Sequence, residues 1–164
     1  MQIDDTVPNY QMKKNRTKLY LDACCLNRPF DDQTQERVRL EAEAVKAILL
    51  RIGTGEWSWT GSEVLMFKIA QIPDPDLQLD VALMTNDVDE TIAVGDQEQH
   101  RAMELRSLGF KDADAMHLAV AEKAQVDVFL TVDDAILRLA ARNTAVLKVK
   151  VRNPLNWLAE VMES

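Results

Sequence analysis

Three aspartates that are far apart in the sequence occupy positions where an α/β fold would gather them at one edge of a sheet. Asp22 closes the apolar run 18–22, and Asp133 follows the apolar run 128–132. Asp114 lies in the first turn of a predicted helix. Short apolar runs are typical of strands buried on both faces of a parallel sheet, and ligands bind outside the carboxyl ends of such strands. The pattern therefore predicts that the three carboxylates converge in one crevice.

Carboxylates that converge repel one another, and a bound cation relieves that repulsion. Oxygen ligands favour Mg²⁺ or Mn²⁺ over softer metals, and Mg²⁺ is typically held by one or two carboxylates with waters and substrate phosphate. We therefore expect Asp22, Asp114 and Asp133 to bind Mg²⁺ or Mn²⁺. Each also has a structural alternative, because an aspartate can end a strand or stabilise the first turn of a helix.

Two residues lie on the same predicted faces as these aspartates. Thr131 is two residues before Asp133 on the same strand face, where its hydroxyl can hydrogen-bond a ligand carboxylate or orient a water at the metal. A threonine with ordinary β-propensity is an equal alternative. His117 follows Asp114 by three residues on one helical face, and either contacts the site or is a core histidine.

The predicted turn 27–32 contributes two more candidates beyond the first strand. Asn27 and Arg28 lie where a phosphate of a bound nucleic acid strand can pass. Arg28 precedes Pro29, so it can instead be only a turn residue. Both are auxiliary candidates beside the three aspartates.

The whole chain has the composition of a folded, soluble protein without a membrane segment. Its 164 residues are 47% hydrophobic and 28% charged. No apolar stretch reaches the length of about 18 residues that spans a membrane, and the start lacks the pattern of a signal peptide, so we expect a cytoplasmic protein. Cys24 and Cys25 are the only cysteines, and their adjacency disfavours a disulfide between them.

A net charge of −8 argues against a protein that holds nucleic acid mainly by a basic surface. It does not exclude a nuclease, because bound metal would neutralise part of that charge. The basic residues are partly grouped, at 13–18 and at 148–152. A solvated surface is the simpler interpretation of both groups.

Predicted strands and helices alternate along the chain after a flexible arm at residues 1–16. The rest, 17–164, is predicted to be one domain, with strands at 18–22, 56–60, 91–94, 127–132 and 147–151 and with helices at 33–52, 62–71, 76–86, 96–108, 112–125, 134–142 and from 154. This alternation predicts right-handed crossovers and a parallel sheet covered by helices on both faces.

Three segments, 20–29, 114–119 and 129–133, resemble the PIN-domain nucleases, a family that includes the VapC-type toxins of bacterial toxin–antitoxin pairs. The first is similar to the family's leading strand with its aspartate, the second to its helical Asp-Ala-x-x-x-Ala motif, and the third to its last acidic strand end. The resemblance implies a three-layer α/β/α fold with a central parallel sheet. It also implies a Mg²⁺- or Mn²⁺-dependent endoribonuclease with the three aspartates as ligands, a homodimer and an antitoxin partner.

The chain departs from the family at the fourth acidic position, in the helix after the second strand. Lys68 occupies that place in the predicted register. Glu63 is the nearest acid, but five residues along a helix rotate it by about 140° from the expected face. Lys68 can take the place of a cation or contact a phosphate, and either possibility weakens the case for two metals.

Two other functions compete with a nuclease. The first is a catalytically weakened PIN-like module that binds RNA or a partner protein, for which Lys68 is the main support. The second is a phosphoacceptor receiver domain, which expects an acidic pair at the first strand end, whereas Asp22 is followed by Ala23 and Cys24. Neither cysteine has a histidine and an acid in a recognisable catalytic arrangement, and the sequence has no glycine-rich phosphate loop.

Two features of the sequence favour a homodimer independently of the resemblance. The predicted helix 33–52 is long for its apolar content, and Trp157, Leu158 and Val161 form an apolar stripe on the terminal helix. Exposed apolar stripes mark association surfaces. We expect this stripe to exceed what one domain buries.

Overall fold

A computed structural model describes residues 15–163 of the chain. The predicted flexible arm, apart from its last two residues, lies outside the described residues. The strands are β1 (Lys18–Leu21), β2 (Ser58–Ser62), β3 (Glu90–Ile92), β4 (Val128–Leu130) and β5 (Lys150–Arg152). The α-helices are α1 (Ala23–Asn27), α2 (Glu36–Gly53), α3 (Glu63–Ala70), α4 (Pro75–Met84), α5 (Asp96–Ser107), α6 (Asp112–Lys123), α7 (Asp134–Arg142) and α8 (Pro154–Glu163).

The strands form one parallel sheet in the order β3-β2-β1-β4-β5. β1 is central, with Leu21 opposite Leu130 of β4 and Leu19 opposite Trp59 of β2. Parallel neighbours need crossover connections, and the helices supply them. The expected α/β fold class, with a central parallel sheet between helical layers, is confirmed.

The central strand is buried on both of its faces, which explains its continuous apolar sequence. Leu19 and Leu21 pack in one core cluster with the residues of α2. Tyr20 points to the other side of the sheet and packs with Phe129 and the residues of α6. Successive side chains of a strand alternate between faces, so a single strand joins the two halves of the core.

The predicted turn at 27–32 is present, but it follows a short helix that the sequence did not reveal. Residues Ala23–Asn27 form α1, and Arg28–Phe30 form a 3₁₀ turn. Ala23, Cys25 and Leu26 are buried, so the short helix packs onto the core directly after β1. A helix of five residues is too short to display a helical period in its sequence.

The second strand begins two residues later than predicted, at Ser58 instead of Glu56. Trp57 precedes it and packs edge-to-face on Trp157 of α8, with ring centroids 4.8 Å apart. Its aromatic character therefore reflects packing between the two tryptophans, not strand pairing. The last strand is also displaced, because β5 starts at Lys150 and not at Leu147.

The apolar stripe of the terminal helix does not form a free association surface, contrary to the prediction. Trp157 is only 3% exposed, and Leu158 and Val161 pack against the same core cluster. The stripe therefore belongs to the core and gives no support to a dimer. No helix within residues 15–163 is long and apolar enough to span a membrane.

Candidate active site

Asp22 lies directly after β1, at the carboxyl edge of the sheet. Its backbone N–H donates to the carbonyl of Leu130 at 2.9 Å, which anchors it to β4. Its side chain is buried, and Oδ2 accepts hydrogen bonds from Thr131 Oγ1 at 3.0 Å and from Cys24 Sγ at 3.3 Å. Oδ1 is buried without a hydrogen-bond partner. One carboxylate oxygen is thus held in place, while the other remains available to a ligand.

Asp133 is the N-cap residue of α7 and follows the neighbouring strand β4. Its Oδ1 accepts hydrogen bonds from the backbone N–H groups of Ala135 and Ile136, at 2.8 and 3.2 Å, as an N-cap does. Its own N–H donates to Thr131 Oγ1 at 3.1 Å. The Thr131 hydroxyl therefore connects the segments that carry Asp22 and Asp133. The structural role that the sequence allowed for Asp133 is real, and it fixes the position of the side chain.

Asp114 is half-buried in the first turn of α6, close enough to the other two acids to respond to their charges. Burial is the largest cause that raises its pKa to about 6, and repulsion from Asp22 comes next. The positive charge of Lys68 opposes this shift, Asp133 adds to it, and Lys111 opposes it weakly. Asp22 and Asp133 therefore lie within electrostatic range of Asp114, at the edge of the sheet where the sequence predicts the three carboxylates.

Lys68 and Lys111 bring positive charge to the edge of this acidic site. Both are exposed, and both act electrostatically on Asp114. Lys68 lies in the last turn of α3, and Lys111 precedes the first residue of α6. Sequence analysis did not identify Lys111. A lysine at the N-terminus of a helix is electrostatically unfavourable, because that end carries a partial positive charge. This unusual position is the sequence signal that could have identified Lys111.

Glu63 is not brought to the three aspartates. Its carboxylate is exposed, and Oε2 accepts a hydrogen bond from the N–H of Val94 at 2.9 Å. Glu63 thereby connects the start of α3 to the segment after β3. The difference between Glu63 and Lys68 follows from the rotation of about 140° that separates them on the helix.

Arg28 is engaged by other carboxylates. Its guanidinium donates to Glu41 Oε1 at 3.0 Å and to Asp31 Oδ2 at 3.0 Å. If Arg28 bound a phosphate instead, the buried carboxylate of Glu41 would lose a hydrogen-bond donor, which is energetically costly. Asn27, at the end of α1, has a buried side-chain oxygen without a hydrogen-bond partner.

His117 is fully buried on α6 beside the aspartates, in contact with residues that sequence analysis did not single out. Its Nδ1 lies 2.6 Å from Tyr20 Oη, which lies 2.6 Å from Ser62 Oγ. Its Nε2 has no hydrogen-bond partner and lies 4.0 Å from Asp22 Oδ1. Burial lowers the pKa of His117 to about 4, with Asp22 opposing the shift, so the ring is neutral. In the sequence, Tyr20 looks like an ordinary strand residue and Ser62 like the start of a helix, which explains why they were missed.

The donor set fits a hard divalent cation but is not a closed cage. Within residues 15–163, no group of three or more His, Cys, Asp or Glu side chains is arranged so that it could hold a metal ion by itself. Mg²⁺ needs no such cage, because it keeps several waters and one or two carboxylates suffice. The unpaired buried oxygen of Asp22 and the repulsion felt by Asp114 are what a cation would relieve.

Comparison with known proteins identifies a shared fold and no close relative. The chain matches no model of a known protein family and no curated protein. Among solved structures it is similar to FitAcB from Neisseria gonorrhoeae, with 17% identity, a TM-score of 0.52 and coverage of 83% of this chain and 97% of that one.

It is also similar to VapBC2 from Rickettsia felis bound to a DNA fragment from their promoter. The identity is 10% and the TM-score 0.54, over 83% of this chain and 98% of that one. Both complexes contain PIN-domain toxins. The chain therefore has a PIN-like fold.

Proposed function

We propose that this protein is an endoribonuclease that depends on Mg²⁺ or Mn²⁺, with Asp22, Asp114 and Asp133 as the residues that hold the metal. The observation that carries the proposal is the buried, unpaired Oδ1 of Asp22, together with the Asp114 carboxyl group, whose pKa is raised by burial and then by the charges of Asp22 and Asp133. Strain of this kind is typical of a metal site in its metal-free state.

The protein's contribution is to fix the carboxylates before the substrate arrives. Thr131 and the Leu130 carbonyl hold Asp22, and the capping bonds of α7 hold Asp133. Asp114 keeps its position because it lies on a helix packed against the sheet. A bound divalent cation would supply Lewis-acid activation and neutralise charge on the attacked phosphodiester.

Lys68 and Lys111 place positive charge beside the acidic site of a chain whose net charge is −8. Both ammonium groups are exposed beside Asp114, where a phosphate of the RNA backbone can reach them. Local positive potential raises the encounter rate with an anionic substrate even when the net charge is negative.

A weakened PIN-like module that binds RNA or a partner protein without cutting is the second candidate. The observation that favours it is the position of Lys68, whose charge acts on Asp114 at the site. A fixed ammonium group there competes with a cation for the same carboxylates. Metal binding without cleavage would favour this second function.

We infer a toxin role and an antitoxin partner from the neighbours, because both are complexes of PIN-domain toxins with their partner proteins. An exposed groove between α3 and α4, with a volume of about 540 Å³, offers such a partner apolar contacts. Met66, Ile69 and Leu79 are among the residues that line it.

The test of the proposed function is incubation of the purified protein with structured and unstructured RNAs, with and without Mn²⁺. Wild type should cut only with metal, and Asp22→Asn should lose both cleavage and Mn²⁺ binding. The metal-free variant should be as stable as wild type or more stable, because one of several clustered like charges is removed.

Asp80→Asn is the matched control, since Asp80 is an exposed aspartate of α4 outside the site. It should cut and bind as wild type does. An Asp22→Asn variant that is unfolded would mean that Asp22 is structural, and the site would lose its anchor.

A further inference from the structure

Two buried polar atoms face each other at the site without a partner of their own. They are Asp22 Oδ1 and His117 Nε2, which lie 4.0 Å apart. The carboxylate oxygen can only accept a hydrogen bond. The imidazole nitrogen donates or accepts according to which ring nitrogen carries the proton, and that depends on the bond made by the other nitrogen.

A chain of hydroxyl groups on the other side of the ring determines which nitrogen of His117 carries the proton. The N–H of Leu65 donates to Ser62 Oγ at 3.1 Å, and Ser62 Oγ lies 2.6 Å from Tyr20 Oη. Tyr20 Oη lies 2.6 Å from His117 Nδ1. Ser62 and Tyr20 are both buried, and each has a single hydroxyl proton to place.

Only one direction of this chain gives both hydroxyl protons an acceptor within the chain. If Nδ1 carried the imidazole proton, it would donate to Tyr20, and Tyr20 would donate to Ser62. The buried Ser62 proton would then have no acceptor within the chain, at a cost of about 1–3 kcal/mol. In the opposite direction Ser62 donates to Tyr20 and Tyr20 donates to Nδ1, which leaves the imidazole proton on Nε2.

We propose that Ser62 and Tyr20 hold His117 in its Nε2–H tautomer, and that His117 is a positioning residue for Asp22. Its Nε2 lies 4.0 Å from Oδ1, the oxygen that the structure leaves unpaired. The 4.0 Å separation exceeds a direct hydrogen bond of about 2.7–3.2 Å and lies within the span of two bonds to one bridging water. The role toward a metal rests on the proposed function, whereas the tautomer does not.

The opposite tautomer would give His117 a different role. With the proton on Nδ1, the lone pair of Nε2 would point at the site, and the imidazole would be a nitrogen ligand of the metal. A ligating histidine typically donates its other N–H to a neighbouring acceptor. The tautomer therefore separates a positioning residue from a metal ligand.

The tautomer can be measured directly by long-range ¹H–¹⁵N correlation on the untagged, metal-free protein. The chain has two histidines, and His100→Gln assigns their signals. We expect the Nε2–H pattern for His117. In Tyr20→Phe the Nδ1 resonance should move toward that of an unbonded nitrogen, because it loses its donor. An Nδ1–H pattern in wild type, or an Nδ1 resonance that Tyr20→Phe leaves unmoved, would overturn the proposal.

The positioning role is tested by Mn²⁺ affinity measured by electron paramagnetic resonance. His117→Phe should raise the Kd for Mn²⁺ about tenfold, which is the usual effect of removing a group that orients a ligand. Tyr20→Phe should weaken binding in the same direction. Tyr20→Phe removes one oxygen and keeps the ring that stacks on Phe129, so this variant tests the positioning role even if His117→Phe does not fold.

Thr60→Val is the matched control for loss of a buried hydroxyl from the same strand as Ser62. Thr60 bonds Glu90 and not the site, so its Kd should equal that of wild type. Equal affinity in wild type, Tyr20→Phe and a folded His117→Phe would overturn the positioning role. The positioning role would also be overturned if the electron spin echo of bound Mn²⁺ showed ¹⁴N modulation that His117→Phe abolishes, because that modulation would identify His117 as a metal ligand. A wild type that binds no Mn²⁺ overturns the proposed function and this role together, while the NMR pattern still decides the tautomer.

Discussion

Burial and the charge of Asp22 disfavour the ionised form of Asp114. Its pKa is raised to about 6, first by burial and then by the charge of Asp22. The unfolded chain ionises this group at about 3.9. The folded state therefore binds the proton more tightly than the unfolded state does. The stabilisation from this group is full below about pH 4 and is lost as the pH rises through about 6.

The pH dependence of metal-free stability should change when Asp114 is replaced. Burial lowers the pKa of His117 to about 4, so His117 contributes to stability in the opposite direction over the same pH range, and the effect of Asp114 is measured as the difference between the two proteins. In EDTA, the Tm of Asp114→Asn relative to that of wild type should rise between pH 4 and 7. Thermal unfolding at several pH values measures this. Asp112→Asn is the control, because Asp112 is an exposed acid in the same helical turn that pairs with Arg106 at the surface. Parallel profiles for wild type and Asp114→Asn would contradict the raised pKa.

Lys68 is predicted to limit the activity of the site. Lys68→Glu should strengthen Mn²⁺ binding and raise cleavage, because it replaces a positive charge near Asp114 with a fourth carboxylate. Lys68→Met separates the two effects, since it removes the positive charge and adds no ligand. Mn²⁺ titration and the nuclease assay should be run on the same preparations. Unchanged affinity in Lys68→Glu would mean that the side chain at this position does not face the metal.

At the scale of the elements, the sequence predicted well those segments whose signals are local. The central strand is a buried apolar run, and α7 has an aspartate at its N-cap, so both were found close to their true bounds. The short helix α1 was missed, since its five residues are too few to show a period. Tertiary contacts displaced β2, because Trp57 packs on Trp157 outside the sheet.

The same distinction applies to the site. The placement of Asp22, Asp114 and Asp133 at one edge of the sheet could be predicted, since strand ends and helix starts identify that edge, while their role as metal ligands stays a prediction. Tyr20 and Ser62 could not be predicted, because their roles depend on the registry of β1 against β2 and on the packing of α6. A strand residue gives no sign in the sequence of which buried polar group it meets across the core.

Glu41 connects the helices that lie behind the site. It is 1% exposed on α2 and accepts hydrogen bonds from Arg28 after α1, from Arg37 and from Asn153 before α8. Glu41→Gln should lower the free energy of unfolding by about 3 kcal/mol, because it leaves buried donors and a partly buried guanidinium without their charge partner.

Urea unfolding measures this effect, with Glu43→Gln as a control from the exposed face of the same helix. The slope with urea should stay unchanged, and Mn²⁺ affinity should follow the fraction of folded protein. A loss below about 0.5 kcal/mol, the range of ordinary surface substitutions, would show that the buried pair contributes nothing net.

At the scale of the whole molecule, the proposed RNA substrate requires local positive charge on a chain whose net charge is negative. The chain carries −8 overall, while Lys68 and Lys111 lie beside the acidic site. Two cations make few phosphate contacts, so the affinity for RNA should depend only weakly on salt. Sequence selectivity would then come from surfaces beyond these residues.

The last prediction is that the protein is a homodimer in solution. The terminal helix no longer supports it, but Phe67, Leu79 and Leu83 on α3 and α4 are 65%, 59% and 54% exposed. Exposed apolar patches mark association surfaces, and a two-fold interface is the commonest way to bury them. Sedimentation equilibrium at micromolar concentration should give twice the monomer mass of 18.6 kDa. Leu83→Glu should shift the equilibrium to monomer. Leu50→Glu should not, because Leu50 is an exposed residue of α2 outside this patch. A wild-type mass of one chain would exclude the dimer and leave this patch to a partner protein.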